Sequence, residues 1–266
     1  MRRRIAVLGA GYTGHFLVRL LERQGFEVIA SRRSRVITPA VPSSVLRITM
    51  DLADEGTWGN IPPCDGCVIL FPVAPSEPLE RFVPLLFDRC KKLVVVGTTS
   101  SYKQSAEDET LDETAPLDLD IPRVQGEEYL RLRGGIILRS AGIYGPGRNP
   151  LDWLRGGRIP SAERYVNLIH GEDLAAAALA ALESDARTEQ FIVTDGVPRR
   201  WTEIVMWARR KGFLAAVQFS GTAGTPSRRL NNGKLVRFLS PSFTHTDLFA
   251  ELEKLENNRV SGRPEG

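Results

Sequence analysis

Three groups of residues in this chain carry chemistry by their type and spacing. Gly9-Ala10-Gly11-Tyr12-Thr13-Gly14 is a Gly-x-Gly-x-x-Gly run that follows the apolar stretch Arg4 to Leu8 and opens a segment of helical period. In that setting Gly9 permits a tight turn, Gly11 lets backbone approach a pyrophosphate, and Gly14 allows close packing of helix on strand. Tyr12 and Thr13 then sit at a helix N-terminus that faces negative charge.

The second group follows the next strand, as Ser31-Arg32-Arg33-Ser34-Arg35. A site selecting NAD places Asp or Glu there, about 20 residues beyond the glycines, to bind the ribose 2'-hydroxyl. Guanidinium groups stand there instead and suit a 2'-phosphate, so Ser31, Arg32 and Arg33 point to NADP(H), with NAD(H) as the alternative. The same arginines also fit a solvated basic loop. The third group is Cys64, Cys67 and Cys90, odd in number and without a nearby His cluster. Cys67 leads into Val68-Ile69-Leu70-Phe71, so a buried strand start is expected rather than redox chemistry, and no metal site.

These residues need a frame, and the first half supplies one by alternating short apolar runs with helical segments, the pattern of a parallel sheet covered on both faces. Strands are expected at Arg4 to Leu8, Glu27 to Ala30, Val45 to Thr49, Cys67 to Phe71, Leu93 to Val96, Gly135 to Leu138 and Gln190 to Val193. Helices are expected at Thr13 to Gln24, at Pro78 to Cys90 with Pro84 kinking it or shifting its start, and at Glu172 to Leu182. The expected fold class is α/β, a doubly wound parallel sheet of the Rossmann type with a small C-terminal substrate-side cap. Residues 1–196, including a substrate-side loop at 140–165, form the dinucleotide-binding unit, and 197–266 form the cap and a mobile polar tail after Asn257. The acidic loop Ser105 to Pro122 is long enough to border an active site and to order only with ligand.

The net charge of +3, from 35 basic and 32 acidic residues, is too small for a nucleic-acid or membrane footprint. Met1-Arg2-Arg3-Arg4 mimics a signal peptide, but its apolar run ends at the glycine turn, and no window reaches the roughly 18 apolar residues of a membrane span. The expected address is the cytoplasm. The expected partner is a small-molecule substrate, with a homodimer left open and neither nucleic acid nor membrane.

With these residues in place, the sequence resembles the extended short-chain dehydrogenase/reductases, the NAD-dependent epimerase/dehydratase-like family, and especially its shorter, atypical members. The resemblance runs over most of the chain. Met50-Asp51-Leu52 looks like the family's Asp-Leu pair, whose carboxylate contacts adenine, and Leu70-Phe71-Pro72-Val73 sits where the fourth strand borders the cofactor. Leu138-Arg139-Ser140-Ala141-Gly142-Ile143-Tyr144-Gly145-Pro146-Gly147 is similar to the segment that turns toward the substrate pocket. That likeness implies a pocket shaped by Arg139, Tyr144 and Arg148, with Tyr102 nearby. Val166 to Ala175 is similar to the family's strand and helix start, where His170 reads as structural, and Asn232-Gly233-Lys234-Leu235 resembles a late substrate-side element.

Typical members use a Tyr-x-x-x-Lys pair, in which lysine and cofactor lower the tyrosine pKa, assisted by a Ser or Thr after the fifth strand. Thr99 is the closest match to that hydroxyl, with Ser100 and Ser101 as adjacent alternatives. None of the five tyrosines has Lys four residues on. Aligning Glu127 with the family's glutamate places Leu119 where Tyr belongs and Arg123 where Lys belongs. The implied catalytic residues are therefore Thr99, Ser100 or Ser101, and Arg123. Three readings stay open: Tyr102 or Tyr144 moves into the role, the substrate supplies the proton chemistry, or dinucleotide is bound without turnover. The implied function is an NAD(P)-dependent oxidoreductase or epimerase acting on a carbonyl or hydroxyl carbon, for instance of a nucleotide sugar. The competing function is a non-catalytic NAD(P)-binding redox sensor or regulatory protein.

Overall fold

Apolar runs on short strands require cover on both faces, and a computed structural model, describing residues 2–33, 41–221 and 227–261, provides it. The main strands are β1 (Arg4–Leu8), β2 (Glu27–Arg32), β3 (Leu46–Thr49), β4 (Gly66–Ile69), β5 (Leu93–Thr98), β6 (Ile136–Ser140) and β7 (Glu189–Val193). They form one parallel sheet in the order β7-β6-β5-β4-β1-β2-β3. All seven expected strands are present, with ends shifted by up to two residues. Ser34 and Arg35 lie outside the described residues.

The helices are α1 (Tyr12–Arg23), α2 (Glu77–Arg89), α3 (Pro122–Arg131), α4 (Pro150–Arg155), α5 (Gly171–Glu183), α6 (Trp201–Arg210), α7 (Gly233–Leu239) and α8 (Leu248–Val260). Side-chain alternation along β1 divides the core, with Ile5 and Val7 on one face and Ala6 and Leu8 on the other. The first face is covered by α1, α5 and α7, the second by α2 and part of α3. Pro84 lies inside α2, which runs unbroken from a Ser76 cap whose hydroxyl accepts from the Leu79 N–H at 3.2 Å.

A separate apolar cluster joins Tyr144, Leu151, Leu154 and Leu168 to Trp201, Ile204, Leu248 and Leu252, so the cap is packed from residues on both sides of position 196. Of the tail expected after Asn257, the first residues depart from expectation and residues 262–266 lie outside the described residues: α8 continues through Val260, seeded by Asp247, whose carboxylate accepts from the Phe249 and Ala250 N–H groups. The acidic loop is tied to the rest of the chain at several points. Its Glu109–Leu111 segment pairs with Arg228–Leu230, Asp108 binds Arg200 at 2.6 Å, and the Glu113 carboxylate accepts the Ile192 N–H of edge strand β7 at 2.7 Å. Among the described residues no helix is long and apolar enough to cross a membrane.

Candidate functional site

Strand order reverses between β1 and β4, which lie side by side while their connections lead to opposite halves of the sheet. The crevice at such a switch point is where open α/β sheets bind ligands. A groove opens there in two lobes that share Gly9, Gly11 and Pro72. The larger, about 790 Å³, is lined by Arg32, Arg33, Asp51, Leu52 and Phe71 among others. The smaller, about 330 Å³, is lined by Tyr12, Thr13, Thr98, Arg123, Ser140 and Arg148 among others.

Each glycine of the turn has its own reason. Gly9 has φ +88°, a left-handed conformation that other residues adopt at a cost. A Cβ on Gly14 would sit 3.0 Å from Leu70 Cδ1, so α1 packs directly on the end of β4. A Cβ on Gly11 would meet only the Gly9 carbonyl, at 3.8 Å, and would otherwise project into the groove. Helix α1 has no side-chain cap and no acid in its first turn, unlike α2, α4 and α8, which are capped by Ser76, Asn149 and Asp247. Its first N–H groups therefore point, uncapped, at the space between the lobes, an arrangement that fits a pyrophosphate.

Ser31 and Arg32 brace this turn. The Ser31 hydroxyl is buried and accepts the Gly9 N–H at 3.2 Å, so it is not presented to a ribose. The Arg32 guanidinium donates twice to the Ala10 carbonyl, at 2.8 and 2.6 Å. Of the expected pair, the exposed Arg33 makes no such bond among the described residues and lines the larger lobe and a third cavity beside Arg47. Asp51 is half-buried, with one carboxylate oxygen accepting the Ala53 N–H at 3.1 Å. Asp51, Leu52, Phe71 and Pro72 all line the larger lobe.

At the smaller lobe the expected hydroxyls are displaced by one. Thr99 is buried, Ser101 is buried with its hydroxyl donating to the Thr98 carbonyl at 2.7 Å, and Ser100 is exposed. The hydroxyl residues that the sheet gives the lobe, beside Tyr12 and Thr13 of α1, are Thr98 and Ser140, register partners across β5 and β6. Thr98 Oγ1 accepts the Ser100 N–H at 3.2 Å, which leaves its own proton to donate. The signal for Thr98 was present in the alternation Val94, Val96, Thr98, had β5 been extended two residues further.

Arg123 reaches the lobe. Its Nε donates to Glu127 at 2.9 Å and its Nη2 to the Val96 carbonyl at 3.1 Å. Leu119, in the tyrosine's place, is 52% exposed on the surface. Arg139 is not a pocket residue: it is fully buried and binds Glu127, Glu128 and Gln190 at 2.7, 2.7 and 2.6 Å. Burial raises the Glu127 carboxyl, and the two guanidiniums beside it oppose that rise.

Tyr102 and Tyr144 are likewise core residues, the first against Leu111 and Ile192, the second against His170, with ring centroids 5.2 Å apart. Burial pushes both phenols well above their ordinary range, so neither takes the missing tyrosine's role. Arg148 does line the lobe, its guanidinium 4.2 Å above the Tyr12 ring. His170 is structural: its Nδ1 accepts the Glu172 N–H and its ring stacks on His245 at 3.6 Å. Asn232 and Lys234 anchor α7 to the sheet through the Thr194 carbonyl and Glu189. The three cysteines are free and buried; the Cys90 thiol and burial push the Cys64 thiol far up, which makes it inert.

No protein-family model matches the chain. Protein YeeZ of Escherichia coli strain K12 is 29% identical over 204 residues, covering 68% of this chain and 74% of that protein. A proposed NAD-dependent epimerase/dehydratase from Methylobacillus flagellatus is 25% identical with a TM-score of 0.77, covering 98% of this chain and 100% of that one. The structure of MoeE5 in complex with UDP-glucose and NAD has a TM-score of 0.77 at 18% identity, over 97% of this chain and 99% of that one. Strand order, glycine turn and a likeness that runs the length of the chain give it the Rossmann-type α/β fold of these NAD-dependent epimerase/dehydratase-like structures.

Proposed function

We propose that the groove binds a nicotinamide dinucleotide across its two lobes and that the chain is an NAD(P)-dependent oxidoreductase or epimerase acting on a small carbonyl or hydroxyl compound. The observation that carries this is Gly11, whose missing side chain leaves the uncapped N-terminus of α1 open to the groove where the lobes meet. In this reading the adenosine half takes the larger lobe, with Asp51 and Leu52, and the nicotinamide half takes the smaller. Arg33 is the residue that favours a 2'-phosphate, and hence NADP(H), because Arg32 is committed to the Ala10 carbonyl.

When bound, a nicotinamide supplies or accepts a hydride at the substrate carbon. The chain's own part is to hold the substrate oxygen. Thr98 Oγ1, aimed by the Ser100 N–H, donates its proton in a hydrogen bond to that oxygen, and Arg123 holds positive charge beside it. A guanidinium stays protonated, so Arg123 stabilises charge and does not relay protons. With Tyr102 and Tyr144 in the core, the proton on the product oxygen comes from solvent or from the substrate itself.

A second reading is a dinucleotide-binding redox sensor without turnover, favoured by the exposed Leu119 in the tyrosine's place. One experiment separates the two: fluorescence titration of the protein with NADPH and NADH, followed by a panel of carbonyl compounds with the cofactor that binds. Binding plus turnover supports the enzyme and binding without turnover supports the sensor. Absence of binding at sub-millimolar nucleotide removes both.

A further inference from the structure

The smaller lobe has an uncompensated charge. Its lining contains two guanidiniums, Arg123 and Arg148, and no carboxylate. Arg123 ends a chain of ion pairs, Arg123–Glu127–Arg139–Glu128–Arg131, in which three guanidiniums face two carboxylates. The inner charges of that chain neutralise one another within the protein. Arg123 is a terminal member and keeps nitrogen–hydrogen bonds beyond those given to Glu127 and Val96. Arg148 has no carboxylate partner among the described residues and rests on the Tyr12 ring. Two like charges lining one cavity of about 330 Å³ repel each other, and an anion between them removes that repulsion.

We infer that the substrate carries an anionic group, a carboxylate or a phosphate, which binds between Arg123 and Arg148 with its reacting oxygen toward Thr98. An uncharged sugar or alcohol leaves Arg148 and the surplus positive charge of the Arg123 chain without a counter-charge, and the lobe selects against it. Arg gives planar, paired donors that match a carboxylate or phosphate. This inference rests on the reading that the groove is a dinucleotide and substrate site.

The test is calorimetric titration of the protein, with and without NADPH, using oxamate as the carboxylate probe, inorganic phosphate as the phosphate probe and oxamide as the neutral isostere. Expected is saturable binding of oxamate or phosphate and none of oxamide, weakened about ten- to hundred-fold in Arg148→Met and in Arg123→Met. The probe that binds identifies which anion the lobe takes. NADPH affinity is measured by fluorescence on the same variants and is expected to change far less in Arg148→Met than the anion affinity does. Oxamide binding as well as oxamate, anion binding that survives both substitutions, or absence of binding by either anion would overturn the inference. So would a loss of NADPH affinity in Arg148→Met as large as the loss for the anion, because Arg148 would then serve the cofactor pyrophosphate. Anion binding with no NADPH binding would instead retain the anion site and remove the dinucleotide reading.

Discussion

The Glu127 carboxylate fills the space beside Gly97, where a Cβ would lie 2.7 Å from its Oε2. That contact lets α3 lie close against β5 and carries Arg123 to the groove. Gly97→Ala is expected to push Glu127 away from its two guanidiniums, at a cost of about 2–3 kcal/mol. Arg139→Met, which takes one of its two guanidiniums from the same buried carboxylate and leaves Arg123, is expected to cost about 2–3 kcal/mol. Urea unfolding of both variants checks this; a loss below about 1 kcal/mol in each would mean the pair is not what holds α3.

Arg32 and Arg33 are adjacent in sequence and differ in use, so their replacement should divide. Arg32→Ala removes the tether on the Ala10 carbonyl and is expected to weaken NADH and NADPH alike. Arg33→Ala is expected to weaken NADPH by about ten- to hundred-fold and to leave NADH nearly unchanged. Fluorescence titration with both nucleotides distinguishes the two patterns. The reverse pattern would move the phosphate contact to Arg32.

The sheet was legible because its signals are local. Ile5 to Leu8 and Val94 to Val96 alternate toward two buried faces, and a glycine turn following a strand has few other meanings. The site was legible only where a backbone motif defines it. Arg32 and Arg33 look equivalent in sequence, and only the fold shows one bent back onto Ala10. Arg139 read as a pocket residue because it is charged and lies in a motif that turns toward substrate. Its partners Glu127, Glu128 and Gln190 come from other elements, so nothing within its own strand announces the buried network. Tyr102 and Tyr144 misled for the same reason: an aromatic ring with a polar end suits a core as well as a pocket.

His170 gives the fold a pH dependence. Burial, assisted by the stacked His245, lowers its pKa to about 4, while Glu172 and Glu251 pull the other way and Lys254 adds to the lowering. An unfolded histidine titrates near 6.5, so between about pH 6.5 and 4 the unfolded chain takes up a proton that the native chain refuses. Stability is therefore expected to fall as pH drops through that window, by up to about 3 kcal/mol from this group. His170→Asn keeps a helix-capping side chain at α5 and removes the titration. Urea midpoints at pH 7 and pH 5 should converge in the variant relative to the parent protein. An unchanged difference would place the acid sensitivity elsewhere.

Thr98 and Ser100 differ in exposure and in what they bind, and so in expected effect on turnover. Thr98→Val keeps the shape of the side chain and removes the hydroxyl that faces the smaller lobe, so kcat is expected to fall about a hundredfold, as when one oxyanion donor is lost. Affinity for the nicotinamide cofactor should hardly change, because the turn that carries Gly11 is untouched. Ser100→Ala alters an exposed side chain while keeping the N–H that aims Thr98, and turnover is expected to stay within about twofold. Full activity in Thr98→Val together with loss in Ser100→Ala would move the hydroxyl to Ser100, one of the two positions that the resemblance offered beside Thr99. Loss in both would mean that the turn after β5 acts as a unit, with the Ser100 side chain fixing the backbone on which Thr98 depends.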